Sequence, residues 1–279
     1  KQLLPVFDKP MIYYPLCTLM LAGIRDILII TTGDDQDNFK RLLGDGNSLG
    51  IKLNYAIQEV PEGLAQAVLI GGEFLDGSPS AVILGDNLFH GQNLIKQLKS
   101  CKSEKKGATV FAYPVMDPKR YGVVEFNTSG KVISIEEKPK NPKSIYALTG
   151  LYFFDSNAPN LASRLKPSKS GELEITDLLK LYLNESLLEV KIMGRGMAWL
   201  DTGTFNSLNN AGEYIRIMEQ RQGLKICCPE EVAWRNHWIN DKDLENLAKP
   251  LIKSGYGSYL LKLLKENSYD RALMEINIK

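Results

Sequence analysis

Short runs of β-branched and aliphatic residues, each closed by turn residues, alternate with helix-like stretches along the first part of the chain. Asp26-Ile-Leu-Ile-Ile-Thr-Thr32 has the composition of a strand and ends in the polar turn Gly33-Asp34-Asp35. Residues 51–57, 81–85 and 108–115 repeat the pattern, and helical apolar spacing fills 11–22, 36–43, 63–71 and 91–100. Because the runs are continuous rather than alternating, the strands must be buried on both faces. That requirement predicts an α/β fold with a mainly parallel sheet and helices on both sides.

After Asp117 the texture changes. Gly122-Val-Val-Glu-Phe126, the turn Asn127-Thr-Ser-Gly130 and Lys131-Val-Ile-Ser-Ile-Glu-Glu137 predict a β-hairpin. Further strands are expected over 147–154 and 188–193, with 171–177 leading into a helix. From Phe205 the pattern is helical, interrupted at Pro250 and Gly255. A core over 1–225, a small C-terminal helical appendage over 226–266 and a frayed tail over 267–279 are therefore expected.

Composition removes several function classes. Lys and Arg number 34 against 33 Asp and Glu, so no net field favours nucleic acid or a membrane surface. No apolar run reaches the roughly 18 residues of a membrane span. Cys17, Cys101, Cys227 and Cys228 lack metal-ligand spacing, and two histidines make a histidine-rich zinc site improbable. Reduced thiols in a cytoplasmic protein are expected.

In "SAVILGDNLFHG", residues 80–91, a core strand ends and Asp86 follows at once. In open α/β sheets ligands bind beyond the carboxyl ends of strands, so Asp86 is a candidate ligand-binding carboxylate, although Gly-Asp-Asn is also ordinary turn chemistry. Trp199-Leu200-Asp201-Thr202-Gly203 repeats the design, with an N-cap role for Asp201 as the alternative. Two such carboxylates facing one crevice would suit Mg²⁺, which leaves its remaining sites to water and substrate phosphates. Glu136 and Glu137 are adjacent on a strand, so only one can face a site; beside Lys138 it could accept sugar hydroxyls while the lysine holds a phosphate. A solvated charged turn is the alternative. Gln58 offers the paired donor and acceptor that match a pyrimidine edge, and Gly63 would let a base lie against bare backbone.

Together with Lys1-Gln-Leu-Leu-Pro-Val-Phe-Asp-Lys-Pro10, Tyr121-Gly-Val-Val-Glu125 and Gly171-Glu-Leu-Glu-Ile-Thr-Asp177, these motifs closely resemble the sugar nucleotidyltransferases. Within them the likeness is to the short, tetrameric glucose-1-phosphate thymidylyltransferases of the dTDP-rhamnose pathway, and it runs from Lys1 to about Glu266. The resemblance implies a Rossmann-like mixed sheet whose hairpin binds the sugar. It implies Mg²⁺-dependent thymidylyl transfer from dTTP to glucose 1-phosphate, in a homotetramer that engages neither nucleic acid nor membrane. Asp86 and Asp201 match the metal ligands, Asp86 also facing the nucleotide, and Lys1 matches a lysine on the transition-state phosphates. Lys138 matches the lysine on the sugar phosphate, Glu137 and Gly122 the groups on glucose hydroxyls, and Tyr121 and Leu148 the pocket walls. Gln58 and Gly63 would read thymine.

Two departures accompany the likeness. The family's glycine-rich loop and first central strand would precede Lys1, so residues ahead of it are expected and the chain as written is expected to be catalytically impaired. Ser170 stands where many relatives carry an arginine on the sugar phosphate, with Lys169 beside it. The rival functions are uridylyl transfer by the same chemistry, an impaired relative that binds a nucleotide-sugar without making it, and a metal-dependent glycosyltransferase. The Glu137-Lys138 pair and the 171–177 segment argue against the last.

Overall fold

A computed structural model describes residues 1–101 and 106–265. Its strands are β1 (Pro5–Val6), β2 (Lys9–Pro10), β3 (Asp26–Thr31), β4 (Lys52–Ile57), β5 (Ser80–Ile83), β6 (Asn87–Gly91), β7 (Ala108–Pro114), β8 (Gly122–Phe126), β9 (Val132–Glu137), β10 (Tyr146–Phe154), β11 (Leu188–Ile192) and β12 (Met197–Asp201). The helices are α1 (Tyr13–Leu21), α2 (Gly33–Leu43), α3 (Leu64–Ile70), α4 (Gly72–Leu75), α5 (Leu94–Ser100), α6 (Ala158–Ala162), α7 (Ile175–Asn184), α8 (Phe205–Gln222), α9 (Pro229–Arg235), α10 (Asp241–Ala248) and α11 (Tyr256–Leu263). The tail expected over 267–279 lies outside the described residues.

Six strands form a mixed, mostly antiparallel sheet in the order β11-β7-β10-β8-β9, with β5 paired to β10. The pairs β1–β2, β3–β4 and β6–β12 are separate and two-stranded, and helices flank the whole. β3 and β4 pair in parallel, as do β7 and β11. β10 runs antiparallel to β7, and the β8–β9 hairpin forms in the register Gly122↔Glu137. The hairpin turn is held by Asn127, whose Oδ1 accepts the N–H groups of Ser129 and Lys131 at 3.0 and 2.9 Å. Local chemistry also explains the helix ends. α2 carries Asp34 and Asp35 in its first turn and Lys40 and Arg41 in its last, both complementing the helix dipole. α8 opens on a reciprocal cap between Thr204 and Ser207.

The helix expected from residue 91 begins only at Leu94. Gly91 instead ends β6, where a Cβ would lie 2.6 Å from the Gly196 carbonyl oxygen, so the close pairing of β6 with β12 requires glycine. β6 itself escapes a local pattern search because its partner β12 lies over a hundred residues on, pairing Asp201 with Asn87 and Met197 with Gly91.

Among the described residues β3 pairs only with β4, and β5 only with β10. Their other edges line one largely apolar cavity of about 620 Å³, floored by Leu16 and Leu19 of α1 and Val68 of α3. The helices α9 to α11 bury Val232, Trp234, Leu244, Leu260 and Leu263 in the same apolar cluster as α1 and β3. Each fully buried side chain of this size contributes about 1.5–3 kcal/mol. No described helix is long and apolar enough to cross a membrane, and all four cysteines are free and buried.

An ion-pair lattice ties the chain's start to the end of α8. Lys9, 6% exposed, bonds Asp8 at 2.6 Å and the Ile226 carbonyl at 3.0 Å, while Lys225 reaches both Asp8 and Glu219 at 2.6 Å. Burial would raise the Asp8 pKa, but the two lysines outweigh it and hold the carboxyl below its usual range. A carboxylate with a depressed folded-state pKa contributes stability above its unfolded value, and this is lost as pH falls through the folded one. Asp8→Asn should therefore cost about 3 kcal/mol at neutral pH and flatten the fall in melting temperature below pH ~4. Thermal melts of both proteins from pH 7 to 3 check this; parallel curves would contradict it.

Candidate active site

The site opens where β10 changes partners. β10 starts beside β8, pairing Tyr146 with Val124, and ends beside β5, pairing Leu151 with Ile83. The exchange falls between Ala147 and Leu151, a stretch in which the β7–β10 register also shifts. The two neighbours diverge there and leave a cleft of about 280 Å³. Asp86, Tyr121, Gly122, Glu137, Lys138, Leu148 and Asp201 all line it, so seven of the ten residues singled out from sequence meet in one hollow. Lys1 joins through its ammonium, 2.7 Å from Asp86 Oδ2.

Asp86 occupies the turn between β5 and β6 rather than the tip of a parallel strand. Thr202 fixes it, donating its backbone N–H and its hydroxyl to the Asp86 carbonyl at 3.0 and 2.8 Å. The antiparallel β6–β12 pair therefore delivers Asp86 and Asp201 to the same edge of the cleft. Asp201 does not cap α8; Thr204 does. Asp201 Oδ1 accepts the Gly203 N–H at 2.9 Å, and its Oδ2 faces the Tyr121 hydroxyl at 3.4 Å and Arg120 at 3.8 Å. Burial and the Asp201 charge both push the Tyr121 pKa up, keeping the phenol neutral.

Opposite lies the hairpin. Glu137 faces inward, whereas Glu136 points out to Lys143 at 3.0 Å, as strand alternation requires. Burial raises the Glu137 pKa, Lys138 at 3.5 Å opposes that, and Glu174 adds to it. A Cβ on Gly122 would lie 2.9 Å from Thr176 Cγ2 and 3.3 Å from Glu137 Oε2, so glycine keeps this wall open. Lys138 adopts φ +40, a left-handed conformation costing a non-glycine residue about 1–3 kcal/mol.

Gln58 and Gly63 are brought together but sit outside the cleft. The Gln58 amide donates to the Gln66 carboxamide oxygen and lines the 620 Å³ cavity. Gly63 has φ +101, and a Cβ there would meet the Leu173 carbonyl oxygen at 2.5 Å. Its glycine is explained by the close approach of the 171–174 segment, which bonds Glu62 and Ala65. Leu64, next in the chain, lines both hollows.

Sequence patterns did not single out Arg120, Glu174, Thr176 or Asn87, all of which line the cleft. Arg120 carried a signal, standing immediately before Tyr121. Asn87 is next to Asp86 but looked like turn chemistry; its role depends on contacts with distant strands. Ser170 instead bonds Ser168 at 2.7 Å and Glu174 at 3.0 Å, outside the cleft lining.

A family model described as nucleotidyl transferase matches residues 1–216, more than half of the chain and including the whole cleft. The chain belongs to the nucleotidyl transferase family. Relatives of this nucleotidyl transferase include a glucose-1-phosphate thymidylyltransferase of Neisseria meningitidis, 56% identical over 95% of this chain and 92% of its own length. A protein of the same name from Mycobacterium tuberculosis is 55% identical over 96% and 92%. Among solved structures, one from Bacillus anthracis assigned as a glucose-1-phosphate thymidylyltransferase, in complex with a sucrose, superposes with a TM-score of 0.72 at 39% identity. It covers 77% of this chain and 86% of that one. A UDP-glucose pyrophosphorylase complexed with UDP-glucose gives 0.68 at 24% identity over 78% and 90%, a likeness of fold.

The donor set fits a hard divalent cation. Two carboxylates converge on the cleft, each partnered by a side-chain cation, Lys1 on Asp86 and Arg120 on Asp201. Among the described residues no cluster of three or more His, Cys, Asp or Glu side chains could hold a metal. A pair of carboxylate ligands that leaves the remaining positions to water and phosphate suits such a cation.

Proposed function

We propose that this nucleotidyl transferase makes dTDP-glucose from dTTP and glucose 1-phosphate, the first step toward dTDP-rhamnose, with Mg²⁺ held by Asp86 and Asp201. A phosphate oxygen of glucose 1-phosphate attacks the α-phosphorus of dTTP, the bond to the bridging oxygen breaks, and pyrophosphate leaves. No covalent enzyme intermediate is needed, so catalysis consists of alignment and charge neutralisation. Bound between the two carboxylates, the cation would offset the triphosphate charge. Lys1 leaves Asp86 for the phosphates, and Lys138 holds the phosphate of the sugar. Glu137 accepts glucose hydroxyls, the open wall at Gly122 admits the ring, and Tyr121 and Leu148 bound it. Arg120, already in the cleft, offers the guanidinium that Ser170 lacks.

The observation that supports this best is the single cleft holding both carboxylates beside the Glu137-Lys138 pair, in a chain whose relatives carry the thymidylyltransferase name. The motif resemblance read from the sequence implies, in addition, a cytoplasmic homotetramer. Phe205 and Ile217, 91% and 48% exposed on α8, offer apolar surface for such an assembly.

Pyrophosphate release measured with glucose 1-phosphate and either dTTP or UTP tests the substrate. Faster turnover of dTTP supports the proposal; a wide preference for UTP would replace it with uridylyl transfer, and no release would leave a nucleotide-sugar binder. Gln58→Ala should cost one neutral hydrogen bond to the base, about 1 kcal/mol. The KM for dTTP should then rise several-fold and dTTP-over-UTP selectivity change, while the KM for glucose 1-phosphate stays put. Unchanged selectivity would remove Gln58 from base recognition.

A further inference from the structure

Asn87 is 3% exposed, and its carboxamide is held from three directions. Its Oδ1 accepts the Trp199 indole N–H at 2.5 Å and the Gly150 backbone N–H at 3.2 Å, using both lone pairs. A flipped amide would set its NH₂ against two donors, so only one orientation satisfies the site. In that orientation Nδ2 donates to Asp86 Oδ1 at 3.0 Å. The surrounding backbone is shaped for this contact. At Gly150 a Cβ would stand 2.8 Å from Asn87 Oδ1 and 2.6 Å from Leu84 Cδ1, so any side chain there would displace Leu84 or the Asn87 carboxamide. Gly150 lies inside the register shift of β10, which frees its N–H from the ladder to β7. Trp199 is fixed in turn, its ring edge-on to Tyr113 and Tyr121 at 6.0 and 5.1 Å, and it stands two residues before Asp201 on β12.

We propose that Asn87 is a positioning residue for the carboxylate pair: its carboxamide locks Asp86 in one rotamer and couples it to the strand that carries Asp201. With Oδ1 of Asp86 engaged, Oδ2 is the oxygen left to face Lys1, which it does at 2.7 Å. Asn87 acts on the cation only through Asp86, and the inference rests on the assignment of Asp86 and Asp201 as its ligands.

Binding of Mn²⁺ alone to the protein, followed by the electron paramagnetic resonance of the free ion, is the test. The wild type should bind Mn²⁺, and its failure to do so would overturn the ligand assignment and this inference with it. Given wild-type binding, Asn87→Ala should weaken Mn²⁺ affinity about ten- to a hundredfold, the usual effect of losing a group that orients a ligand. Trp199→Phe, which frees the carboxamide to turn, should shift the affinity in the same direction by less, and it decides the question if Asn87→Ala does not fold. The KM for glucose 1-phosphate should stay within about threefold. A folded Asn87→Ala, or in its place Trp199→Phe, that melts lower yet binds Mn²⁺ within twofold of wild type would show a role in stability alone and overturn the proposal.

Discussion

Asp201→Asn should lower kcat by about three orders of magnitude and leave the fold intact. If Asp201 is one of two anionic metal ligands, as proposed, its removal weakens the cation that offsets the triphosphate charge, and a loss of about 4 kcal/mol of transition-state stabilisation is a thousandfold in rate. The fold should survive because asparagine keeps the acceptor for the Gly203 N–H and the partner for Tyr121. The lost ion pair is with Arg120 at 3.8 Å, half-exposed and worth under about 1 kcal/mol. Initial rates of pyrophosphate release, paired with a thermal melt, separate the two effects. Activity within tenfold of wild type in a folded variant would remove Asp201 from the metal site.

Much of this site could be seen in the sequence because each half is a short local motif. Apolar approach, carboxylate and turn occur twice, at Asp86 and Asp201, and strand alternation required that only one of Glu136 and Glu137 face a site, the resemblance naming Glu137. The parallel pair β3–β4 and the hairpin β8–β9 were legible for the same reason, since a continuous apolar run or a turn between two runs needs no knowledge of distant partners. The antiparallel pairing of β6 with β12 was not. Asn87-Leu-Phe-His90 continues from a turn and precedes a helix, and only contact with Trp199 and Leu200 makes it a strand. The same non-locality hid the role of Asn87, whose bonds go to residues 63 and 112 positions away. Gly63 carried the right signal, a glycine required by the backbone, but the close approach comes from Leu173.

The second large effect is expected at Lys138. Its side chain is 62% exposed and its pair with Glu137 is 3.5 Å long, so Lys138→Ala should change stability by less than about 1 kcal/mol. Loss of a charge-assisted contact to the sugar phosphate removes about 2–3 kcal/mol. The kcat/KM for glucose 1-phosphate should thus fall about a hundredfold, with the KM for dTTP unchanged. A second consequence follows from electrostatics. Lys138 lowers the Glu137 pKa against burial and Glu174, so its removal raises that pKa further. If ionised Glu137 accepts the sugar hydroxyls, the acid limb of the kcat/KM profile moves to higher pH in the variant. Steady-state kinetics across pH 5 to 9 read both effects, and an unshifted acid limb would separate Glu137 from sugar binding.

The central physical claim is that one divalent ion sits between the side chains of Asp86 and Asp201. Crystals grown with Mn²⁺ and dTDP-glucose, measured near the manganese absorption edge, test it directly. The account predicts an anomalous peak in the cleft, about 2 Å from an oxygen of each carboxylate. A peak bound to only one of them, or none in the cleft while the nucleotide-sugar is bound, would contradict it.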